Sequence, residues 1–438
     1  MAKNKIQSVR GMKDLFGQEL FQWKTIENSL RETFKLYNCH EIRTPILENE
    51  ALFQRSAGKS SDIIQKEMYR ILEKQQSSQK DTLVMRAEGT APVIRALIQH
   101  QLLEQLPQKF YYLAPMFRRE RPQKGRYRQH HQFGFEFFGY SSAYSDFEGL
   151  CLCRDLFNSV GISDVSFTLN SLGDQEDRKL YKQKLLDFLT PFKKELSEDS
   201  QNRLEINPLR ILDSKNEVDQ EILAKGAPKI KDCLSKKSLE RWNTLLELSK
   251  NSSLNISIDE NLVRGLDYYT HTVFEVKHKN KALGSQDSIA GGGRYNNLVN
   301  ELGGAPVAAF GMGAGIERLM LILEEKAIKS PESPKPVLYI AALEEKAIQV
   351  AAELSSELRK RGLIVEWNVD PVKNFKKLLK KANQAMAKHT LILGPEEVNK
   401  GQIKIKDMQK GEEEVFALNK SLDQSKVTEI ADQIEKIL

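Results

Sequence analysis

Residues 262–275, LVRGLDYYTHTVFE, place an arginine, an aspartate and two adjacent tyrosines directly before a strand-like run. The β-branched and aromatic residues at the end of this segment favour a strand. Arg264 offers a guanidinium, which can hold a phosphate through two parallel hydrogen bonds. Tyr268 and Tyr269 offer phenols that can donate or accept a hydrogen bond. These residue types predict a polar binding site at the mouth of a sheet.

The segment QHHQFGFEFFG, residues 129–139, predicts a strand with two different faces. Because side chains alternate along a strand, three phenylalanines share one face, and Gln132, Gly134 and Glu136 share the other. A glycine between two polar residues indicates the close approach of a ligand. A solvent-exposed face with a bulge at Gly134 fits the segment equally well.

A basic loop, residues 117–128, precedes this strand. Its cationic side chains are Arg118, Arg119, Arg121, Lys124, Arg126 and Arg128. Arginine binds phosphate through paired bonds, so the loop indicates phosphate or nucleic-acid contact, with a solvated basic turn as the alternative.

The glycines of FGMGAGIERL, residues 310–319, do not form a dinucleotide-binding motif. Ile316 stands where G-x-G-x-x-G requires its last glycine, and no phosphate-binding G-x-x-x-x-G-K-[ST] occurs in the chain. The segment predicts a strand, a tight turn of small residues and a helix whose buried stripe excludes Arg318. AGGGRYNNL, residues 290–298, is a similar glycine turn beside an arginine and Tyr295.

Composition sets broad limits on the class of protein. The chain has 438 residues, 40% hydrophobic and 29% charged, and a formal net charge of +6 that permits contact with nucleic acid without requiring it. Its four cysteines show no Cys-x-x-Cys spacing and are predicted to be reduced. Neither the histidines nor any Ser/His/Asp order predicts a metal centre or a covalent nucleophile. The absence of a signal peptide and of a long apolar run predicts a cytoplasmic protein without a membrane segment.

Changes of pattern along the chain predict three parts. Residues 1–325 alternate strands and helices, with a strand at EIRTPIL that contains Pro45 and a helical, Lys/Glu-rich insertion at 175–255. Residues 326–336, with three prolines, form a linker. Residues 337–438 predict a small α/β domain, in which the lysines of NFKKLLKKANQAMAK suggest RNA contact, with a solvated helix face as the alternative.

These segments together resemble the histidyl-tRNA synthetases, a family of class II aminoacyl-tRNA synthetases, over nearly the whole chain. EIRTPILE is similar to motif 1, FRRERPQKGRYRQHHQFGFEFFG to motif 2 and FGMGAGIERL to motif 3. RAEGTAPVIRAL, LVRGLDYYTHTVFE, AGGGRYNNL and NPLRILDSK resemble stretches particular to the histidine enzymes. One local departure is Thr270-His271, where many relatives have Asn-Arg.

The resemblance implies an α+β fold: an antiparallel six-stranded sheet flanked by helices, with a helical insertion and a C-terminal α/β anticodon-binding domain. It implies a homodimer that uses ATP to ligate L-histidine to histidine tRNA through a histidyl-adenylate, releasing AMP and pyrophosphate. Magnesium is expected to accompany ATP.

The resemblance also implies roles for individual residues. Arg118 and Arg264 are expected at the α-phosphate and Arg318 at the distal end of ATP. The full expected sets are Arg118, Glu120, Arg126 and Arg318 for ATP; Glu88, Thr90, Gln132, Glu136, Arg264, Tyr268, Tyr269 and Tyr295 for histidine; and Gln123 and Arg126 for tRNA. Within the histidine set, Glu136 would accept a hydrogen bond from one imidazole nitrogen and Tyr269 would donate to the other. The tRNA pair would read the extra 5′ guanosine of histidine tRNA.

Three alternatives share parts of this pattern. A regulatory subunit of histidine biosynthesis has the same fold, but such proteins usually lack the anticodon domain and have lost catalytic arginines. A class II synthetase for another amino acid would not need Glu136 beside Tyr268 and Tyr269. A plain RNA-binding module would not need a buried carboxylate pocket.

Overall fold

The computed structural model describes residues 5–58, 61, 63–72, 82–279, 287–328, 331–370, 372, 374–417 and 427–438. The chain divides into two compact units, Met1–Ser330 and Pro331–Leu438. Residues 329 and 330 of the predicted linker and Lys373 beside the predicted basic helix lie outside the described residues. Across the described ranges, no helix combines the length and apolar character needed to cross a membrane.

The strands of the first unit form one large sheet and one small sheet. They are β1 (His40–Glu41), β2 (Leu47–Asn49), β3 (Leu83–Met85), β4 (Gln108–Phe117), β5 (Gln129–Phe138), β6 (Ser166–Ser171), β7 (Ile256–Ile258), β8 (Thr270–Lys277), β9 (Ser288–Arg294) and β10 (Ala309–Gly315). In the part of the chain that the structure describes, the large sheet has eight strands in the order β1-β4-β5-β10-β9-β8-β6-β7, and β2 pairs with β3.

The predicted six-stranded sheet is therefore wrong in strand number. The inner six strands pair antiparallel in the order β4-β5-β10-β9-β8-β6. Strand β1 joins one edge in parallel and β7 joins the other edge in parallel. These edge strands are two and three residues long. Such short strands carry no alternating pattern that could reveal them in the sequence.

The single strand predicted at EIRTPIL is also wrong. Strand β1 ends at Glu41, the first residue of this stretch, and β2 begins at Leu47, its last residue, with Pro45 in the irregular segment between them. Proline has no backbone N–H to donate to a strand ladder, and it therefore separates the two pairings.

Helices cover the large sheet and build the insertion. Those outside the insertion are α1 (Gly17–Leu36), α2 (Glu50–Ser56), α3 (Thr90–Gln99), α4 (Ala143–Ser159), α9 (Leu298–Glu301) and α10 (Ile316–Glu325). Those of the insertion are α5 (Gln175–Leu189), α6 (Glu198–Ile206), α7 (Glu217–Ala224) and α8 (Lys236–Lys250).

One face of β5 fills the main core, as its alternation predicts. Phe133, Phe135 and Phe137 are completely buried and pack with residues of α1 and α4, among them Phe34 and Phe157. The other face of β5 is consequently turned toward the polar cleft described below.

The second unit is an α/β domain, as predicted. Its elements are β11 (Leu338–Ala342), α11 (Glu345–Lys360), β12 (Val365–Trp367), α12 (Phe375–Gln384), β13 (His389–Leu393), α13 (Pro395–Lys400), β14 (Gln402–Asp407), β15 (Glu413–Ala417) and α14 (Val427–Ile437). The described strands form one sheet in the order β12-β11-β13-β14-β15, in which β11 pairs parallel with both of its neighbours. On α12, Leu378 and Ala382 are buried and Lys377 and Lys380 are exposed.

Candidate active site

A polar cleft of about 490 Å³ opens on the first unit. Its walls come from β5, β9, β10, the loop after β4, the first turn of α10 and the segment before β8. Ten of the thirteen predicted site residues line it: Glu88, Thr90, Arg118, Glu120, Arg126, Gln132, Arg264, Tyr268, Tyr269 and Arg318. The remaining three described residues, Gln123, Glu136 and Tyr295, are not part of its wall.

The glycines of β10 make room for side chains that cross this strand. A Cβ added at Gly311 would collide with the carboxylate of Glu136, and one at Gly313 would collide with the amide of Gln132. These glycines lie within the strand rather than in a turn, and β10 passes directly into α10. These positions of β10 must be glycine because the polar side chains of the neighbouring β5 occupy the space that a Cβ would need.

Arg118 and Arg264 reach the cleft from two different segments of the chain, the loop after β4 and the segment before β8. The Nε of Arg118 donates to the carbonyl of Ala87 at 2.8 Å, which fixes the side chain at the wall. The guanidinium of Arg264 forms an ion pair with Glu275 and lies over Gly291, where a Cβ would strike it. Both cations are thus oriented by neighbours before any ligand binds.

Arg318 and Arg126 bring further positive charge to the same cavity. Arg318 stands in the first turn of α10, and its Nη1 donates to the carbonyl of Ser288. Burial lowers the pKa of Arg318 from its usual value, and nearby Arg126 lowers it further. Arg126 lies 3.5 Å from Glu120 in an ion pair within the basic loop.

Glu88 is a buried carboxylate at the start of α3. Its two oxygens accept from the backbone N–H groups of Thr90 at 2.7 Å and Ala91 at 2.8 Å. Burial raises the pKa of Glu88, and these two hydrogen bonds oppose the shift. The carboxylate therefore caps the helix and faces the cleft at the same time.

Glu136 lies beneath the wall of the cleft. It is fully buried, with one carboxylate oxygen accepting from Thr90 Oγ1 at 2.7 Å and the other accepting from the hydroxyl of Tyr295. Burial raises the pKa of Glu136 to about 8, although both hydrogen bonds act in the opposite direction. Thr90 lines the cavity, so it connects Glu136 to the cleft.

Three tyrosine rings pack together next to Glu136. The ring centroids of Tyr268 and Tyr269 are 4.6 Å apart, and those of Tyr268 and Tyr295 are 5.6 Å apart. Burial is the main cause that raises the pKa of each phenol, so all three remain protonated and can donate hydrogen bonds.

The structure adds residues that the sequence analysis missed. His130 lines the cleft on the same strand face as Gln132, a position that the period of two could have identified. Burial, with the charge of Arg118, lowers the pKa of His130 to about 3, so its ring is neutral. His131 points to the other side of the strand, where its ring meets Trp23 edge-on.

Tyr112 explains Gly134, the glycine between the two polar residues of β5. The two residues are paired across β4 and β5, and a Cβ at Gly134 would lie 2.5 Å from the Tyr112 hydroxyl. The close approach predicted at this glycine is therefore made by a tyrosine of the protein itself.

The described residues contain no group of three or more histidine, cysteine or acidic side chains that could hold a metal ion.

The sheet with its six inner antiparallel strands, the arginine-lined cleft and the α/β domain together define a class II aminoacyl-tRNA synthetase architecture. Residues 11–319 match the histidyl-tRNA synthetase family, and residues 337–427 match the anticodon binding domain. The chain belongs to the histidyl-tRNA synthetase family.

Individual relatives agree with this assignment. The chain is 42% identical to the histidine–tRNA ligase of Prochlorococcus marinus over 93% of its own length and 95% of the relative's. It is likewise 42% identical to the Streptococcus pneumoniae histidine–tRNA ligase, over 93% and 94% of the two chains. The crystal structure of apo Staphylococcus aureus histidyl-tRNA synthetase superposes with a TM-score of 0.78 at 33% identity, covering 95% of this chain and 98% of that one.

Proposed function

We propose that this protein ligates L-histidine to the 3′ end of histidine tRNA in two steps, with ATP as the second substrate. Histidine first reacts with ATP to give histidyl-adenylate and pyrophosphate, and the histidyl group then passes to tRNA with release of AMP. The observation that carries the proposal is the common cavity in which Arg118, Arg264 and Arg318 meet Glu88 and Tyr269.

The activation step needs stabilisation of charge rather than a nucleophile from the protein. An oxygen of the histidine carboxylate attacks the α-phosphorus, and the bond to the bridging oxygen breaks as pyrophosphate leaves with the electron pair. Negative charge grows on the phosphoryl oxygens, and cations fixed in advance stabilise it. Arg118 and Arg264 serve this purpose, and Arg318 holds the distal phosphates. Glu120 and Arg126 complete the ATP site from the basic loop.

Histidine is selected through two kinds of polar contact, one to its ammonium group and one to its imidazole ring. Glu88, Thr90 and Gln132 accept from the ammonium of histidine. Tyr269 donates to one imidazole nitrogen, and Arg264 also contacts the bound amino acid. A site that pairs buried polar atoms rejects analogues lacking them by as much as ~10⁴–10⁵.

Glu136 accepts a hydrogen bond from the second imidazole nitrogen. Because both of its oxygens are already engaged, by Thr90 and Tyr295, histidine binding must exchange or share one of these hydrogen bonds. Tyr268 and Tyr295 then form the packing shell behind the ring.

Further parts of the proposal rest on the family. The protein works as a homodimer in the cytoplasm, and magnesium enters with the phosphates of ATP. Residues 1–325 are the catalytic domain with the insertion at 175–255, residues 326–336 are the linker, and residues 337–438 read the anticodon. Gln123 and Arg126 contact the acceptor end of tRNA.

Exchange of pyrophosphate into ATP, measured with each amino acid separately, tests the proposal. The expected result is exchange with histidine alone. Exchange with a different amino acid would indicate another class II specificity. The absence of exchange with every amino acid would favour a regulatory subunit or an RNA-binding module and would overturn the proposal.

A further inference from the structure

The insertion docks directly on the segment that carries Arg264 and the two tyrosines. The amide of Asn207 donates to the carboxylate of Asp267 at 2.6 Å. Nη1 of Arg178 donates to the carbonyls of Asp267 at 2.8 Å and Tyr269 at 2.9 Å. Since Asn207 and Asp267 are 60 positions apart in the sequence, these bonds fix the insertion against one wall of the cleft.

Asn207 also begins a short turn that presents another arginine to the cleft. The turn is a 3₁₀ helix, Pro208–Ile211, in which the N–H of Arg210 donates to the carbonyl of Asn207 at 3.1 Å. Leu209 and Ile211 are buried in the core of the insertion. With both neighbours held inside, the backbone leaves Arg210 at the surface of the turn, and its side chain lines the cleft.

Arg210 joins a cavity that already contains four arginines. The cavity is lined by Arg118, Arg126, Arg210, Arg264 and Arg318, and its acidic wall residues are Glu67, Glu88, Glu120 and Glu317. Glu88 caps α3, Glu120 pairs with Arg126, and Glu317 accepts from the backbone N–H of His131 at 2.7 Å. The arrangement favours an anion with several oxygens over a neutral ligand.

We propose that Arg210 binds phosphate in this cleft and that the insertion thereby supplies part of the substrate site. This inference deepens the proposed function and rests on it, because the phosphate belongs either to ATP or to the 3′ end of tRNA. Guanidinium binds phosphate oxygens through two parallel hydrogen bonds, whichever molecule carries them. Asn207 and Arg178 are positioning residues, since they act through the segment that they hold.

The test compares Arg210→Ala and Arg210→Lys with Lys193→Ala in the full chain. Lys193 lies in the same insertion and pairs with Glu205 on the exposed surface, so its removal controls for the loss of one positive charge. The affinity for ATP is measured by calorimetric titration, and the affinity for histidine tRNA by filter binding. Histidine affinity and the thermal unfolding midpoint are measured on the same samples.

Arg210→Ala is expected to weaken the binding of ATP or of tRNA by about tenfold or more, which is the loss that follows from removing a charged hydrogen bond. Weaker ATP binding assigns Arg210 to the triphosphate, and weaker tRNA binding alone assigns it to the tRNA phosphate. Arg210→Lys should recover part of the affinity, and Lys193→Ala should bind as wild type does.

Unchanged affinity for both ligands in Arg210→Ala would overturn the inference. The inference would also fail if Arg210→Ala weakened the binding of histidine as much as that of the phosphate ligands and lowered the unfolding midpoint. That result would describe a structural role. Neither titration requires turnover. If wild type exchanges pyrophosphate with histidine and Arg210→Ala binds both ligands normally, the proposed function stands and this inference fails.

Discussion

Thr90 Oγ1 donates a hydrogen bond of 2.7 Å to Glu136 Oε1, and this bond joins the first residue of α3 to the centre of β5. Glu136 is completely buried, whereas Thr90 lies at the wall of the cleft. The threonine hydroxyl is therefore the contact through which a ligand in the cleft can influence a carboxyl group in the interior.

The raised pKa of Glu136 predicts a stability that depends on pH. In the folded protein the carboxyl keeps its proton up to about pH 8, whereas in the unfolded chain it loses the proton near its ordinary pKa of 4.5. Between these values the folded state binds more protons, so the free energy of unfolding falls as pH rises. The Glu136→Gln variant has no carboxyl group at this position, so its free energy of unfolding lacks this dependence on pH.

Thermal unfolding of both proteins checks the Glu136 prediction. Above about pH 6.5, the ordinary pKa of histidine, the lowered pKa values of His130 and His271 no longer affect stability. From there to about pH 8, the melting temperature of Glu136→Gln should rise relative to that of wild type. A constant difference between the two proteins over this range would contradict the raised pKa.

Gly311→Ala is expected to destabilise the protein. The added Cβ would meet the Glu136 carboxylate and lie 2.7 Å from the carbonyl of Phe135, and neither group can move freely. Overpacking of this kind costs typically 1–3 kcal/mol of unfolding free energy. Gly315→Ala in the same strand is the control, because the nearest atom to its Cβ would be 3.9 Å away. Equal denaturant midpoints for the two variants would disprove the steric argument.

Asp146 and Arg294 form an ion pair with no solvent exposure on either side chain. Asp146 also accepts from Thr272 at 2.7 Å and from Arg241 of the insertion at 2.7 Å. Asp146→Ala leaves two arginines without this carboxylate, and breaking a buried pair costs ~3–5 kcal/mol. Urea denaturation should show this loss of unfolding free energy.

The matched control for Asp146→Ala is Glu205→Ala, which removes the exposed partner of Lys193. Exposed pairs contribute ~0–1 kcal/mol, so its denaturation midpoint should stay close to that of wild type. Similar midpoints for the two variants would show that the buried network contributes no more than a surface pair.

The sequence predicted those parts of the site that follow from a local pattern. The period of two in β5 correctly separated the core phenylalanines from the face that carries Gln132 and Glu136. The basic loop and the segment before β8 likewise contributed Arg118 and Arg264 to one cavity. Each of these inferences depends only on residues close together in the chain.

Features that depend on distant pairing could not be predicted. The glycines of β10 are explained by side chains of β5, and Gly134 is explained by Tyr112 of β4. Arg210 reaches the cleft through an insertion whose docking rests on Asp267, far along the chain. The edge strands β1 and β7 have too few residues to show any period.

Arg264→Ala should lower the rate of histidine activation by about 10²-fold or more, the usual loss when one group that stabilises transition-state charge is removed. Gly291→Ala tests the same guanidinium without deleting its charge, because the added Cβ would displace it. Arg154→Ala, which removes a half-buried partner of Asp155 that does not line the cleft, is the control. Pyrophosphate exchange measures all three, and a near-normal rate for Arg264→Ala would place this side chain away from the reacting phosphate.

Gln123→Ala should reduce the preference for tRNA that carries the extra 5′ guanosine. Gln123 is exposed at the tip of the basic loop, where its backbone bonds to Arg126 at 3.1 and 2.9 Å close a tight turn. The side chain is thus presented to solvent on a fixed backbone, and it does not line the cleft. A lost base contact corresponds to roughly tenfold lower discrimination.

Charging of tRNA with and without the 5′ guanosine measures this preference, and pyrophosphate exchange should remain unchanged in Gln123→Ala. Lys124→Ala, at the adjacent exposed position, controls for general effects on the loop. If Gln123→Ala kept the wild-type ratio between the two tRNAs, recognition of the guanosine would have to lie elsewhere. Since the exchange assay does not involve tRNA, a loss confined to charging would separate RNA recognition from the chemistry of activation.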